Sequence, residues 1–132
     1  MPSITDALPC PCQSGKPFDD CCAPLISGEL PPETAEALMR SRYTAYTLRD
    51  EAYLLATCHP STRPQSLDFA SEPAPKWIGL QIRQFVQTGP DTAIVEFVAR
   101  YRVGGRAQRL HETSRFKLSH GRWMYVDGDI LE

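Results

Sequence analysis

The chain has 132 residues, enough for one domain with a proper core plus a short appendage, and its 42% hydrophobic and 23% charged residues are ordinary for a globular protein. A formal charge of -2 at pH 7 gives no whole-molecule attraction to nucleic acid or to an anionic membrane. No apolar run approaches the roughly 18 residues that cross a bilayer, and Met1 to Pro9 lacks the basic start of a signal peptide. The expected compartment is therefore the cytoplasm, where thiols stay reduced.

Four of the five cysteines come first, as Cys10-Pro11-Cys12 and then, eight residues later, Cys21-Cys22. Two close pairs joined by a loop can each supply one edge of the tetrahedron that zinc prefers. The loop, Gln13-Ser14-Gly15-Lys16-Pro17-Phe18, opens with turn formers that fold it back, and Phe18 offers an apolar cap over the metal. Local disulfides are disfavoured, because vicinal and Cys-x-Cys bridges are strained. Redox-active thiols and inert thiols are the competing readings. Ser14-Gly15-Lys16 lacks the rest of a phosphate-binding loop and runs into Pro17, so no nucleotide site is expected there.

The run from Pro9 through Phe18 to Cys21-Cys22 resembles the SEC-C motif, a zinc-binding tail of the SecA export motor. The resemblance implies Zn2+ held by Cys10, Cys12, Cys21 and Cys22. This chain departs from the motif at Gln13, where glycine is usual, and at Asp19-Asp20, where lysines are common. The acidic pair removes the basic character that a nucleic-acid-facing knuckle would carry.

A proline-rich link (Pro24, Pro31, Pro32) separates this knuckle and linker, residues 1–30, from the body, residues 31–132, and few contacts are expected to cross it. From Glu33 to about Arg49, apolar residues recur at helical steps, with acidic residues at the start and Arg49 at the end. A second short helix is expected from about Asp50 to Cys58, ending before His59-Pro60. Residues 60–75 read as a loop. His59 reads as a loop-terminating residue rather than a ligand, and Cys58 as a small buried hydrophobe. From Trp77 the period becomes two. Strands fit Trp77–Thr88, Thr92–Val103, Arg106–Ser119 and Arg122–Asp127, with gaps short enough for hairpins. The expected fold is α+β, with N-terminal helices packed on a curved antiparallel meander.

That order, with Leu38-Met39-Arg40-Ser41-Arg42-Tyr43, Ala99-Arg100-Tyr101, His111-Glu112-Thr113-Ser114-Arg115-Phe116 and Gly121-Arg122-Trp123-Met124-Tyr125-Val126-Asp127-Gly128, resembles the YchJ-type family of bacterial proteins. The resemblance implies a SEC-C motif joined to a cone-shaped domain like nuclear transport factor 2. It implies a fold and a metal, and no reaction.

Cones of this class often enclose a cavity between helices and sheet. The candidate pocket residues are Tyr43, Tyr101, His111, Glu112 and Trp123. On the second strand Val95, Phe97, Ala99, Tyr101 and Val103 form the apolar set expected to face the helices. Which face of the third strand joins them depends on register, since a one-residue slip exchanges the faces. A catalytic reading takes His111 or Glu112 as general base near Tyr43, Tyr101 or Asp127. The favoured reading pairs Glu112 with Arg100 or Arg115 across the sheet, and treats Trp77 and Trp123 as core aromatics. Two functions compete: a non-catalytic interaction module that docks a protein partner through a structural zinc knuckle, and a small-molecule-binding protein or enzyme using the cone. An open cavity holding a buried acid–base pair favours the second, and a plugged cone the first.

Overall fold

A computed structural model describes residues 8–67 and 75–131; the N-terminal residues 1–7, part of the expected loop (68–74) and Glu132 lie outside the described residues. The body follows the expected order. Helix α1 (Cys22–Ile26) leads into the link, α2 spans Ala35–Leu48 and α3 spans Glu51–Ala56. Strands β1 (Lys76–Gln87), β2 (Thr92–Val103), β3 (Arg106–Ser119) and β4 (Arg122–Leu131) follow, each within a few residues of its expected bounds. They form one antiparallel sheet in the order β1-β2-β3-β4. Register shifts in β1 and between Arg115 and Phe116 of β3 bend the sheet into a curved, unclosed wall.

Local chemistry sets the helix ends. The Thr34 hydroxyl accepts from the Ala37 amide at 3.0 Å and caps α2. Arg49 closes the helix in the left-handed region (φ 57°), and Asp50 then caps α3 by accepting from the Tyr53 amide at 3.1 Å. Because α2 turns directly into α3 through Arg49 and Asp50, the two helices pack against each other at a corner.

Helix α2 lies across β1, β2 and β4. Its buried residues Ala35, Leu38, Met39 and Tyr43 meet Leu80, Ala93, Val95, Phe97, Ala99, Phe116 and Trp123 in one core. The apolar set on β2 therefore faces the helices, as expected. The same core includes Cys10, Cys12 and Cys22. The expectation of few contacts across the link does not hold: the thiols are apolar enough to be buried against α2, and the knuckle covers one end of the core.

Candidate metal centre and cone cavity

The knuckle is a small loop closed on itself. The Cys10 amide donates to the Lys16 carbonyl at 3.0 Å, the Gln13 amide donates to the Cys10 carbonyl at 3.0 Å, and Pro9 pairs with Pro17. Gln13 (φ 62°) and Gly15 (φ 90°) supply the left-handed backbone that turns the loop. A single 3-10 turn over Phe18–Asp20 then delivers Cys21 and Cys22 to the start of α1. The sulfurs of Cys10, Cys12, Cys21 and Cys22 all lie within 4.8 Å of one another. Cys12 and Cys21 are 3.6 Å apart, and Cys21 and Cys22 3.9 Å. This donor set could hold one metal ion. Without metal the thiols share protons unequally: hydrogen bonding from Cys22 holds Cys12 below its ordinary range, while Cys22 is pushed up by the same contact and by burial.

Hydrogen bonds fix the knuckle to the body, among them one between Cys10 Sγ and Thr44 Oγ1 at 3.7 Å. Thr44 on α2 donates to Cys22 Sγ at 3.3 Å, and Arg40 donates to the Cys12 carbonyl at 2.9 Å. Gln13 Oε1 accepts from the Leu80 amide on β1 at 3.0 Å. The residue that departs from the motif's usual glycine is therefore a staple between loop and sheet.

Between α2 and the concave sheet lies a cavity of about 300 Å³. Register decides its chemistry. Phe97 lies opposite Glu112, and Val95 opposite Ser114, so Glu112, Ser114 and Phe116 share the helix-facing side. Glu112 Oε2 accepts from the Ser114 hydroxyl at 2.6 Å and the Tyr125 hydroxyl at 3.4 Å. Gly128 leaves room for the carboxylate, which a Cβ at that position would strike. Arg42, 5% exposed, reaches in from α2; its Nη1 donates to the Leu54 carbonyl at 2.8 Å and Thr57 Oγ1 at 2.6 Å. Burial first, and then the Glu112 charge, push the Tyr125 hydroxyl well above its ordinary pKa.

Of the candidate pocket residues, Tyr43 and Glu112 line this cavity together. Tyr101 does not; its ring packs 5.0 Å from Trp77. His111 points to the opposite face, where its Nε2 lies 2.7 Å from Glu96, because alternation along β3 separates it from Glu112. Trp123 is buried in the core and lines a different depression, beside α1 and α3. The expected cross-strand pair of Glu112 with Arg100 or Arg115 is also replaced. Arg115 lies on the other face and binds Asp127 at 2.6 Å and Asp129 at 2.7 Å. Trp77 is a cavity wall as well as a packed ring. Sequence reasoning missed Arg42, Ser114 and Tyr125; an arginine in mid-helix among apolar residues was the available signal for the first. Cys58 is buried, as expected, and its backbone bridges to Tyr125.

Helices on a curved, unclosed sheet, with four clustered cysteines at the front, define a cone-domain protein carrying a candidate thiolate metal site. Residues 34–128 match the family described as YchJ, middle NTF2-like domain, and residues 8–24 match the SEC-C motif. The chain belongs to this YchJ-like family. It is similar to a UPF0225 protein of Ralstonia nicotianae, at 50% identity over 98% of this chain and 96% of that one. Two solved structures are also similar. The solution structure of a SEC-C motif containing protein from Rhodopseudomonas palustris has a TM-score of 0.84 and 37% identity, covering 93% of this chain and 98% of that one. The crystal structure of a SEC-C motif containing protein from Psychrobacter arcticus has a TM-score of 0.78 and 26% identity, covering 98% and 86%.

Proposed function

We propose that this is a cytoplasmic, zinc-stapled protein that binds a small molecule in its cone. The observation that carries the reading is the cavity of about 300 Å³ with the Glu112 carboxylate and the Arg42 guanidinium in its wall. A half-buried carboxylate and a buried guanidinium beside open space favour a binding cone over a plugged one, and this size lies at the lower end of small-molecule sites. Zinc is supported by arithmetic: a tetrahedron of 2.3 Å bonds has edges of about 3.8 Å, which the 3.6 and 3.9 Å sulfur separations bracket. Four thiolates would fill the coordination sphere, so the metal's contribution would be to fold the loop. The compartment is supported by five cysteines that form no disulfide with one another.

The test is to close the cavity. Ala99, 2% exposed, lines it. Ala99→Leu should abolish the thermal stabilisation that a library of small metabolites gives to the zinc-loaded wild type. A variant that responds to the same compounds as wild type would place binding elsewhere and end the reading.

A second reading has the knuckle docking a protein partner. It is favoured by the exposed tip, where Lys16, Asp19 and Asp20 face solvent while the thiols turn inward. Such a mixed, nearly neutral face suits a protein better than a phosphate backbone. Comparison of wild type with Cys21→Ser/Cys22→Ser in pull-downs tests it: identical captured partners would sink the docking reading.

A further inference from the structure

Resting on the small-molecule reading of the cone, we propose that its ligand is a flat, uncharged aromatic or heteroaromatic molecule of about two fused rings that donates a hydrogen bond to Glu112.

Size comes first. A cavity of about 150 Å³ admits one benzene ring, and this one is about 300 Å³, room for roughly twice that. Shape comes from the walls. Tyr43 and Tyr46 present their rings to Trp77 at centroid separations of 6.0 and 5.8 Å, inclined by 76° and 53°, and Phe97 closes the sheet side. Inclined rings around a narrow space favour a planar guest that stacks on one and meets another edge-on.

Charge is the third constraint. The cavity wall holds one carboxylate, Glu112, and one guanidinium, Arg42. The guanidinium lies 4.5 Å above the Tyr125 ring, and that ring's hydroxyl donates to Glu112, so the two charges are joined through one side chain. Their sum is zero. An ionic guest would be stripped of its hydration in an apolar space and would leave that space with a net charge.

The fourth constraint is a vacant acceptor. Glu112 Oε2 receives the Ser114 and Tyr125 hydroxyls, whereas Oε1 has no partner among the described residues. No buried side-chain oxygen or nitrogen among those residues is left without a partner, so Oε1 is not fully buried, and it belongs to a residue that lines the cavity. An ionised carboxylate accepts and cannot donate. The matching group on the guest is an N–H or O–H in the plane of the ring.

The experiment titrates the zinc-loaded full chain with four bicyclic probes: indole, which is neutral with an N–H; benzofuran, its isostere without a donor; tetrahydroisoquinoline, a cation at neutral pH; and indole-2-carboxylate, an anion. Side-chain N–H resonances distinguish Trp77, in the cavity wall, from Trp123, outside it. Indole should move Trp77 and leave Trp123 in place. It should bind about tenfold or more tightly than benzofuran, the value of one hydrogen bond to a charged acceptor, and more tightly than either ion. Glu112→Gln, which keeps the side chain's shape, should remove indole's advantage and leave benzofuran unchanged. Equal binding of indole and benzofuran, or tighter binding of an ion, overturns the ligand class while leaving the cone as a binding site. If no probe moves Trp77 at millimolar concentration, the ligand class and the small-molecule reading both fail.

Discussion

The guanidinium of Arg42 lies 4.5 Å above the ring of Tyr125, and its Nη1 reaches past that ring to the Leu54 carbonyl and Thr57 hydroxyl. One side chain thereby connects α2, the end of α3 and β4. The backbone completes the joint, since the Tyr125 amide donates to the Thr57 carbonyl and the His59 amide to the Tyr125 carbonyl, each at 2.8 Å. Removing the cation leaves the Leu54 carbonyl short of a charged donor and Tyr125 without its cover. Arg42→Met is expected to lower stability by about 2–3 kcal/mol in urea denaturation. A change below about 0.5 kcal/mol would mean that the joint is held by backbone alone.

The metal site makes a pH-dependent prediction. Thiolates bind metal only after losing their protons, so occupancy falls as pH drops. Elemental analysis of protein purified without chelator should give about one zinc per chain, from the four-ligand count. Cys22→Ser should retain far less metal at pH 7 and unfold at lower temperature. Metal-free wild-type protein with reactive Cys21 and Cys22 would refute the assignment.

Gln13 is strained and useful at once. Its left-handed φ of 62° costs an L-residue roughly 1–2 kcal/mol, while its bond to the Leu80 amide returns about 1 kcal/mol. Gln13→Gly should therefore be nearly neutral, because it relieves the strain and loses the bond together. Gln13→Ala keeps the strain, loses the bond, and should cost about 1–2 kcal/mol in thermal unfolding. If Gln13→Ala unfolds together with wild type, the staple carries no energy; if the two variants prove equal, the left-handed backbone carries no strain.

Alkaline pH acts on the buried tyrosines. Burial pushes Tyr43 up to about 12, and pushes Tyr46, Tyr53 and Tyr125 in the same direction. A group whose pKa rises on folding holds its proton more tightly in the folded chain. Its contribution is complete below the unfolded value near 10 and is lost as pH rises through the folded value. For Tyr43 the loss is on the order of 2 kcal/mol. Urea midpoints should stay flat from pH 8 to 10 and fall steeply towards pH 12, with Tyr43→Phe showing a shallower fall. A Tyr43→Phe slope equal to that of wild type would contradict the shift.

Much of this architecture was legible in the residues. The Cys10-Cys12 and Cys21-Cys22 spacing declares its chemistry locally, and two-residue alternation from Trp77 onward locates all four strands, because both signals are short-range. The cavity was not legible in the same way. Placing Glu112 inside and His111 outside requires the pairing of Phe97 with Glu112 across the sheet, and alternation within β3 is equally consistent with the reverse. Arg42 was hidden for a related reason. A charged residue in mid-helix reads as solvated until α3 folds back to offer the Leu54 carbonyl, and that return depends on the Arg49–Asp50 corner.

The link between knuckle and cone gives the last prediction. Ala23 to Pro32 reads as a boundary, and a chain beginning at Pro31 is expected to keep a cooperative transition. Its core retains Leu38, Leu54, Val95, Val98 and Phe116, all fully buried, on a sheet with its full hairpin register. The transition should nevertheless move to lower denaturant. Thr44 would lose its partner Cys22, Arg40 the Cys12 carbonyl, and the Leu80 amide its acceptor Gln13. The apolar wall at Tyr43 and Trp77, which also lines a groove beneath Pro9, Cys10 and Gln13, would open to water. Three lost hydrogen bonds at about 1 kcal/mol each, with newly exposed apolar surface in addition, predict a loss of several kcal/mol. Circular dichroism during urea titration checks both halves. A transition at the wild-type midpoint would make the knuckle an independent appendage, and a chain with no cooperative transition would make it part of the folding core.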